Sequence, residues 1–333
     1  MPDRPGGCQR TFSAFDILSL PPRLAPMSAA RVLLVYLVAI FLGGALLAPW
    51  LWEAVQALAG YFPSLRHTAE QPFHRYVNRC LLAIALLGLW PLVRAFRVRS
   101  RAELGWNGPW GPAILRGFLL GFGALGLVTL LGLLAGTRTW VAPTDLGRWL
   151  GRLGSAALSA AVVSCLEEFL FRGVLHGVLR RTLGFLATAA STSALYSWVH
   201  FFERPPRPEH VDAWTGLWTL GQMLRGFTSF SSLIPGWLSL VVAGVALALA
   251  RERTGSLAFP IGLHAGWIFW LKAYGFATSD APGANPTIWG TGRLFDGWLA
   301  LALLALQAFL IHAWIRPQPN GRTDDPTTRT IHP

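Results

Sequence analysis

The sequence predicts an all-α polytopic membrane protein with about eight transmembrane helices in one bundle, and three observations carry that expectation. Charged residues make up 13% of the 333 positions and apolar ones 53%, whereas a soluble domain is about 25% charged. Sixteen Trp and 35 Gly fit the same solvent, since Trp favours the lipid–water boundary and membrane helices tolerate Gly. The basic residues, 27 Arg and Lys272, fall in short clusters between long apolar runs. The net charge of +12 therefore reads as membrane-flanking anchors rather than a nucleic-acid footprint.

A helix needs about 20 apolar residues to cross the hydrocarbon core. By that measure, helices are expected near 31–57, 77–96, 111–136, 155–181, 184–202, 233–250, 257–276 and 294–315. Pro260 lies in the first turn of the seventh, where the missing N–H costs little. The connection 203–232 carries Pro205, Pro206, Pro208 and Trp214 and reads as a segment along the membrane surface. Residues 1–30 read as disordered: the first 26 contain five Pro, and Met27 stands as an alternative start. The tail 316–333 reads as disordered too, which leaves 31–315 as the membrane domain. Cys8, Cys80 and Cys165 make no pair at metal-ligand spacing.

Orientation follows from Arg94, Arg97, Arg99 and Arg101 after the second helix, Arg180 and Arg181 after the fourth, Arg251 and Arg253 after the sixth, and Arg316 and Arg322 after the eighth. With eight spans these share one side, which puts both termini in the cytoplasm. Arg66, Arg75, Arg204 and Arg207 lie on the other side. The excess of Arg over Lys points to a GC-rich genome, hence a prokaryotic inner membrane.

Ionisable groups inside apolar helices cost free energy and mark function. In Cys165-Leu166-Glu167-Glu168-Phe169-Leu170-Phe171-Arg172 two carboxylates adjoin. Glu168 and Arg172 share a face at i, i+4 and can pair. Glu167 points about 100° away and is left for another partner. A plain buried ion pair would account for Glu168 and Arg172 but not for Glu167. In 184–202, Ser193, Tyr196, Ser197 and His200 form one polar stripe. Glu167 precedes Thr182 by 15 residues and His200 follows Gly184 by 16, so both stand about 23 Å from the turn joining their helices. A carboxylate and an imidazole at one level can hold a water and take its proton. His264, in Gly262-Leu263-His264-Ala265-Gly266-Trp267, lies about nine residues past the nearest basic loop and so at a shallower level. It joins the others if the 181–184 hairpin protrudes or the helices tilt.

Glu-Glu-x-x-x-Arg at 167–172, aromatic-x-x-x-His at 196–200 and a His in a later helix resemble the CAAX-processing and bacteriocin-processing (CPBP) intramembrane proteases, over roughly 110–275. The resemblance implies an endopeptidase in which Glu167 and His200 activate water, His264 helps hold the oxyanion, and Glu168 and Arg172 support the site. Its implied substrate is a membrane-embedded or lipid-modified peptide or protein. Two positions depart from the family: Tyr196 where Phe is usual, and Ile268 where an Asn or Asp side chain follows the His. An apolar Ile cannot donate to an oxyanion. The indole N–H of Trp267, one turn from His264, is one replacement donor, and simple packing is the other reading of that Trp. No metal is expected, because two His at i, i+4 are absent; a Glu/His/His set holding Zn2+ is the alternative. A catalytically inactive scaffold or transporter-like protein is the rival function, although the internal repeats of transporters are absent from the sequence.

Overall fold

The computed structural model describes residues 29–98, 100–143, 145–202, 204–227 and 234–315. Most of the N-terminal segment expected to be disordered, its alternative start at Met27, and the tail 316–333 lie outside the described residues. The described residues are almost wholly helical, with 77% of them in helix and almost no strand.

The helices, in order, are α1 (Ala29–Val38, a π-helical turn Ala39–Gly43, then Gly44–Tyr61), α2 (Phe73–Ala95), α3 (Trp110–Leu134) and α4. The fourth runs from Leu146 to Glu168, widens to a π-helix over Phe169–Leu175 and ends with His176–Leu179. Then come α5 (Phe185–His200), α6 (Thr215–Met223), α7 (Gly236–Thr254), α8 (Ala258–Ala277) and α9 (Trp298–Trp314). Among the described residues four stretches, Arg31–Tyr61, Phe73–Ala95, Trp110–Leu134 and Leu146–Leu179, are long and apolar enough to cross a membrane; Trp298–Trp314 is a shorter apolar helix. The remaining expected spans are present as helices but are more polar. The last turn of α7, for example, holds Arg251, Glu252 and Arg253.

Two elements differ from the sequence expectation. Helix α4 begins at Leu146 rather than near 155, because Asp145 caps it by accepting from the Arg148 N–H at 3.0 Å. Arg148 and Arg152 interrupt the apolar run there but remain exposed. The connection 203–232 is not simply a surface segment, since it contains α6 with Thr215, Gly216, Thr219, Leu220 and Met223 buried. A Cβ on Gly216 would lie 1.8 Å from the Ala45 carbonyl oxygen, so α6 packs backbone-close against α1. Nine residues are too few to register as a span.

Two features set the position of α8, the most buried helix. Gly117 and Gly121 of α3 face Gly262 and Gly266 of α8. A Cβ on Gly121 would meet the Leu263 carbonyl oxygen at 2.1 Å, and one on Gly262 would meet that of Ile114 at 2.0 Å. Such small-x-x-x-small faces let two helices approach until their backbones touch. A short antiparallel ribbon then ties the far ends of α3 and α8: β1 (Arg138–Trp140) pairs with β2 (Thr278–Asp280). Buried Arg138 donates to Thr278 Oγ1 at 2.8 Å and to Asp280, with its guanidinium 4.1 Å from the Tyr274 ring centre.

Candidate active site

The expected residues converge where α4, α5 and α8 meet. Glu168 and Arg172 are fully buried, and Arg172 Nη1 donates to Glu168 Oε1 at 3.1 Å. Widening of the helix over 169–175 leaves this i, i+4 pair intact. Arg172 Nη2 donates to the Gly244 carbonyl at 3.1 Å, and the guanidinium lies 4.8 Å from the Tyr196 ring centre. The same Glu168 Oε1 lies 2.9 Å from Nδ1 of His264, whose side chain is only 4% exposed. An ionised carboxylate can only accept, so Nδ1 carries the proton and Nε2 is left for other partners. The hydroxyl of Tyr196 sits 3.2 Å from that Nε2 and donates to it when the ring is neutral.

Tyr196 also fixes the second imidazole. Its carbonyl oxygen lies 2.8 Å from His200 Nδ1, which therefore donates to it. This leaves His200 Nε2 facing Glu167, 3.6 Å from Oε2; His264 Nε2 is 3.8 Å from the same oxygen. Glu167 Oε2 is buried yet makes no hydrogen bond, although the side chain as a whole is 24% exposed. His200 is 32% exposed. The two carboxylates of one dipeptide thus face opposite ways, as the helical angle between them requires: Glu168 toward a closed charge network, Glu167 toward two imidazoles.

An apolar cavity of about 460 Å³ opens on Glu167 and His200. Its walls include Tyr36 and Ile40 of α1, Leu81 and Ala85 of α2, Phe171 of α4 and Val199 of α5. The Tyr36 hydroxyl on that wall is spent on the Ala85 carbonyl at 2.8 Å.

The level of His264 is explained by burial. The 181–184 hairpin is exposed, whereas Leu257 and Ala258 at the α7–α8 turn are fully buried. That turn is drawn beneath the 103–107 segment, with the Leu257 N–H donating to the Gly105 carbonyl at 2.8 Å and Ser256 Oγ to that of Asn107 at 2.8 Å. Counting residues from the loops therefore underestimates how deep His264 lies.

The Trp267 ring lies beside His264, with ring centres 6.1 Å apart, but its N–H is engaged elsewhere. Its indole N–H donates to Gln307 Oε1 of α9 at 3.0 Å, and Gln307 Nε2 donates to the Leu120 carbonyl of α3 at 2.8 Å. The donor expected to face the oxyanion is thus engaged in a bridge between α3, α8 and α9, because i+3 on α8 turns it toward α9. Ile268 packs in an apolar cluster with Ala160, Ala265 and the partly buried Phe118, Val163 and Phe269. Residues that sequence reasoning passed over are the four crossing glycines, whose G-x-x-x-G spacing was visible in each helix, and Gly244. No group of three His, Cys, Asp or Glu among the described residues is arranged to hold a metal ion.

No curated protein and no solved structure matches the chain significantly. One family does: the type II CAAX prenyl endopeptidase Rce1-like model matches residues 149–270, the stretch that carries Glu167, Glu168, Arg172, Tyr196, His200 and His264. Residues 149–270 are therefore similar to an Rce1-like type II CAAX prenyl endopeptidase domain, consistent with the CPBP family.

Proposed function

We propose that the protein is an intramembrane endopeptidase of about eight spans, with both termini cytoplasmic, that cleaves a membrane-embedded or lipid-modified peptide or protein with a water activated by Glu167 and His200. The observation that carries the reading is the buried Glu167 Oε2, unpartnered and 3.6 and 3.8 Å from two imidazole nitrogens. A carboxylate oxygen left unsatisfied in a buried site costs roughly 1–3 kcal/mol or more, and catalysis is a reason to keep one. A water placed there donates one proton toward Glu167 and the other toward the His200 Nε2 lone pair, which aims its own lone pair at a carbonyl in the apolar cavity. Glu167 takes the water proton as the tetrahedral intermediate forms and passes it to the leaving amine.

The oxyanion needs donors in place before charge develops. The Tyr196 hydroxyl, 3.2 Å from His264 Nε2, supplies one by turning its single hydrogen from that nitrogen to the oxyanion. His264 supplies another when its Nε2 carries a proton, its Nδ1 being held by Glu168. Tyr196 thereby offsets the amide that Ile268 lacks.

The side assignment rests on the Arg clusters that follow α2, α4 and α7, and reporter fusions after Arg101, Arg181 and Arg253 should all read as cytoplasmic. The chemistry is proposed without a metal, because the Tyr196 hydroxyl already occupies the lone pair that zinc would need on His264. Strong chelators should leave turnover within about two-fold; stoichiometric zinc, lost together with activity in His200→Ala, would favour the metallopeptidase.

Turnover of a membrane peptide by the purified protein tests the central assignment. Glu167→Gln and His200→Ala should each lower it by about 10²–10⁴ at normal membrane levels, and the double variant should be no worse than either single one. Near-native turnover in Glu167→Gln would sink the mechanism.

A further inference from the structure

Beside the apolar cavity lies a second pocket of different character. It measures about 400 Å³ and is lined by His74, Arg75 and Arg204, with Asn78 and Phe202 belonging to both pockets. The two therefore adjoin, with Asn78 one helical turn from Arg75 on α2, and Phe202 two residues past His200. Among the described residues, no acidic side chain lines the pocket and neither Arg75 nor Arg204 has an ion-pair partner.

Two general tendencies oppose this placement of charge. His74 and Arg75 stand in the first turn of the 23-residue helix α2, which has no acidic residue there. The free N–H groups and the helix dipole already make that end positive, so cations are disfavoured and anions favoured. The pocket also sits at the end of α2 and α5 opposite the main Arg clusters. Those clusters meet at the other end, where Arg181 donates to the Phe96 carbonyl and Arg251 to that of Glu103. Anchoring to the cytoplasmic leaflet accounts for that end and not for Arg75 and Arg204. Both costs disappear when an anion is bound.

We propose that this pocket is an anion-binding subsite, taking a carboxylate or phosphate group on two guanidiniums and the α2 N-terminus while the attached chain extends past Asn78 and Phe202 into the reaction cavity. The inference rests on the endopeptidase reading only for the identity of that cavity. The anionic group has two sources, the free C-terminal carboxylate of a peptide substrate or the phosphate of a lipid headgroup.

Binding, rather than turnover, tests it. The full-length Glu167→Gln protein in neutral detergent is titrated with a fluorescent apolar peptide bearing either a free C-terminal carboxylate or a C-terminal amide. In parallel its thermal unfolding is followed in bicelles of phosphatidylcholine with and without phosphatidylglycerol. Carboxylate recognition predicts that amidation weakens binding at least ten-fold, and that Arg75→Gln/Arg204→Gln abolishes this preference while binding the amide as before. Headgroup recognition predicts equal binding of the two peptides, but a rise in Tm with phosphatidylglycerol that is lost in the same double variant. Arg75→Lys/Arg204→Lys should retain part of either effect, which separates lost charge from a disturbed fold. Indifference to both amidation and anionic lipid, or an unchanged response in the Gln double variant, overturns the subsite. Loss of turnover is not a readout here, so the proposal and the catalytic assignment of Glu167 can fail separately.

Discussion

Glu167 and Glu168 are adjacent in sequence and differ in burial and in partners. Glu168 is fully buried, accepts from Arg172 at 3.1 Å and engages His264 at 2.9 Å. Glu167 reaches a cavity, and its Oε2 is bonded to nothing. One helix thus separates a closed region, where Glu168 Oε1 holds Arg172 and His264, from one open to a cavity, and the dividing line is the roughly 100° between successive residues. Free energy is lowered on the Glu168 side and held ready on the other. The lesson is that a pair of like charges in a membrane helix need not share a role, and that burial with hydrogen bonding tells structural from reactive.

The sharpest way to break the comparison is to exchange the phenotypes. If the division holds, Glu167→Gln loses about 10²–10⁴ in turnover and keeps its folded yield. Arg172→Ala does the opposite in kind. It strands Glu168 in a dry interior, where breaking a buried pair costs about 3–5 kcal/mol, so unfolding in detergent should shift down sharply and membrane abundance fall. Equal losses of abundance in both variants would mean that Glu167 is structural after all.

Tyr196 straddles the boundary: its carbonyl holds His200, its hydroxyl contacts His264, and its ring lies by Arg172. Tyr196→Phe keeps the ring and the carbonyl, hence both the His200 contact and the packing. Only the donor disappears. The loss of one preorganised donor costs up to about 10²–10³ in rate, and here an effect of roughly 10–100-fold on kcat is expected because His264 remains. Unchanged kcat would leave the hydroxyl a mere packing polar group.

The contrast between the two glutamates was legible in the sequence because it depends only on spacing within one helix. So was the pairing of Glu167 with His200, which depends on a tight hairpin and equal residue counts on each side. The depth of His264 was not, since it depends on how far the 255–258 turn is drawn in under Gly105 and Asn107, a contact across about 150 residues of chain. Helix α6 was missed for a related reason: its nine residues are buried only because α1 offers backbone at Ala45 against Gly216. Local periodicity carries no information about such partners. The glycine crossing of α3 and α8 lies between these cases, since the spacing was visible but the pairing of two particular helices was not.

The smallest expected effect concerns Trp267, where the sequence left catalysis and packing both open and the indole's bond to Gln307 favours packing. The indole N–H is bonded to Gln307, which in turn reaches the Leu120 carbonyl, so the residue belongs to the closed region with Glu168. Trp267→Phe removes the donor and leaves the buried Gln307 oxygen unsatisfied, at a cost of about 1–3 kcal/mol. A modest fall in Tm is therefore expected with kcat within about two-fold of the native value, the reverse of the pattern for Tyr196→Phe. Gln307→Leu in that background should recover stability, since removing both partners of a buried hydrogen bond is nearly neutral where removing one is not. A large drop in kcat without a drop in Tm would return the indole to the reaction, and would require α8 to rotate during the catalytic cycle.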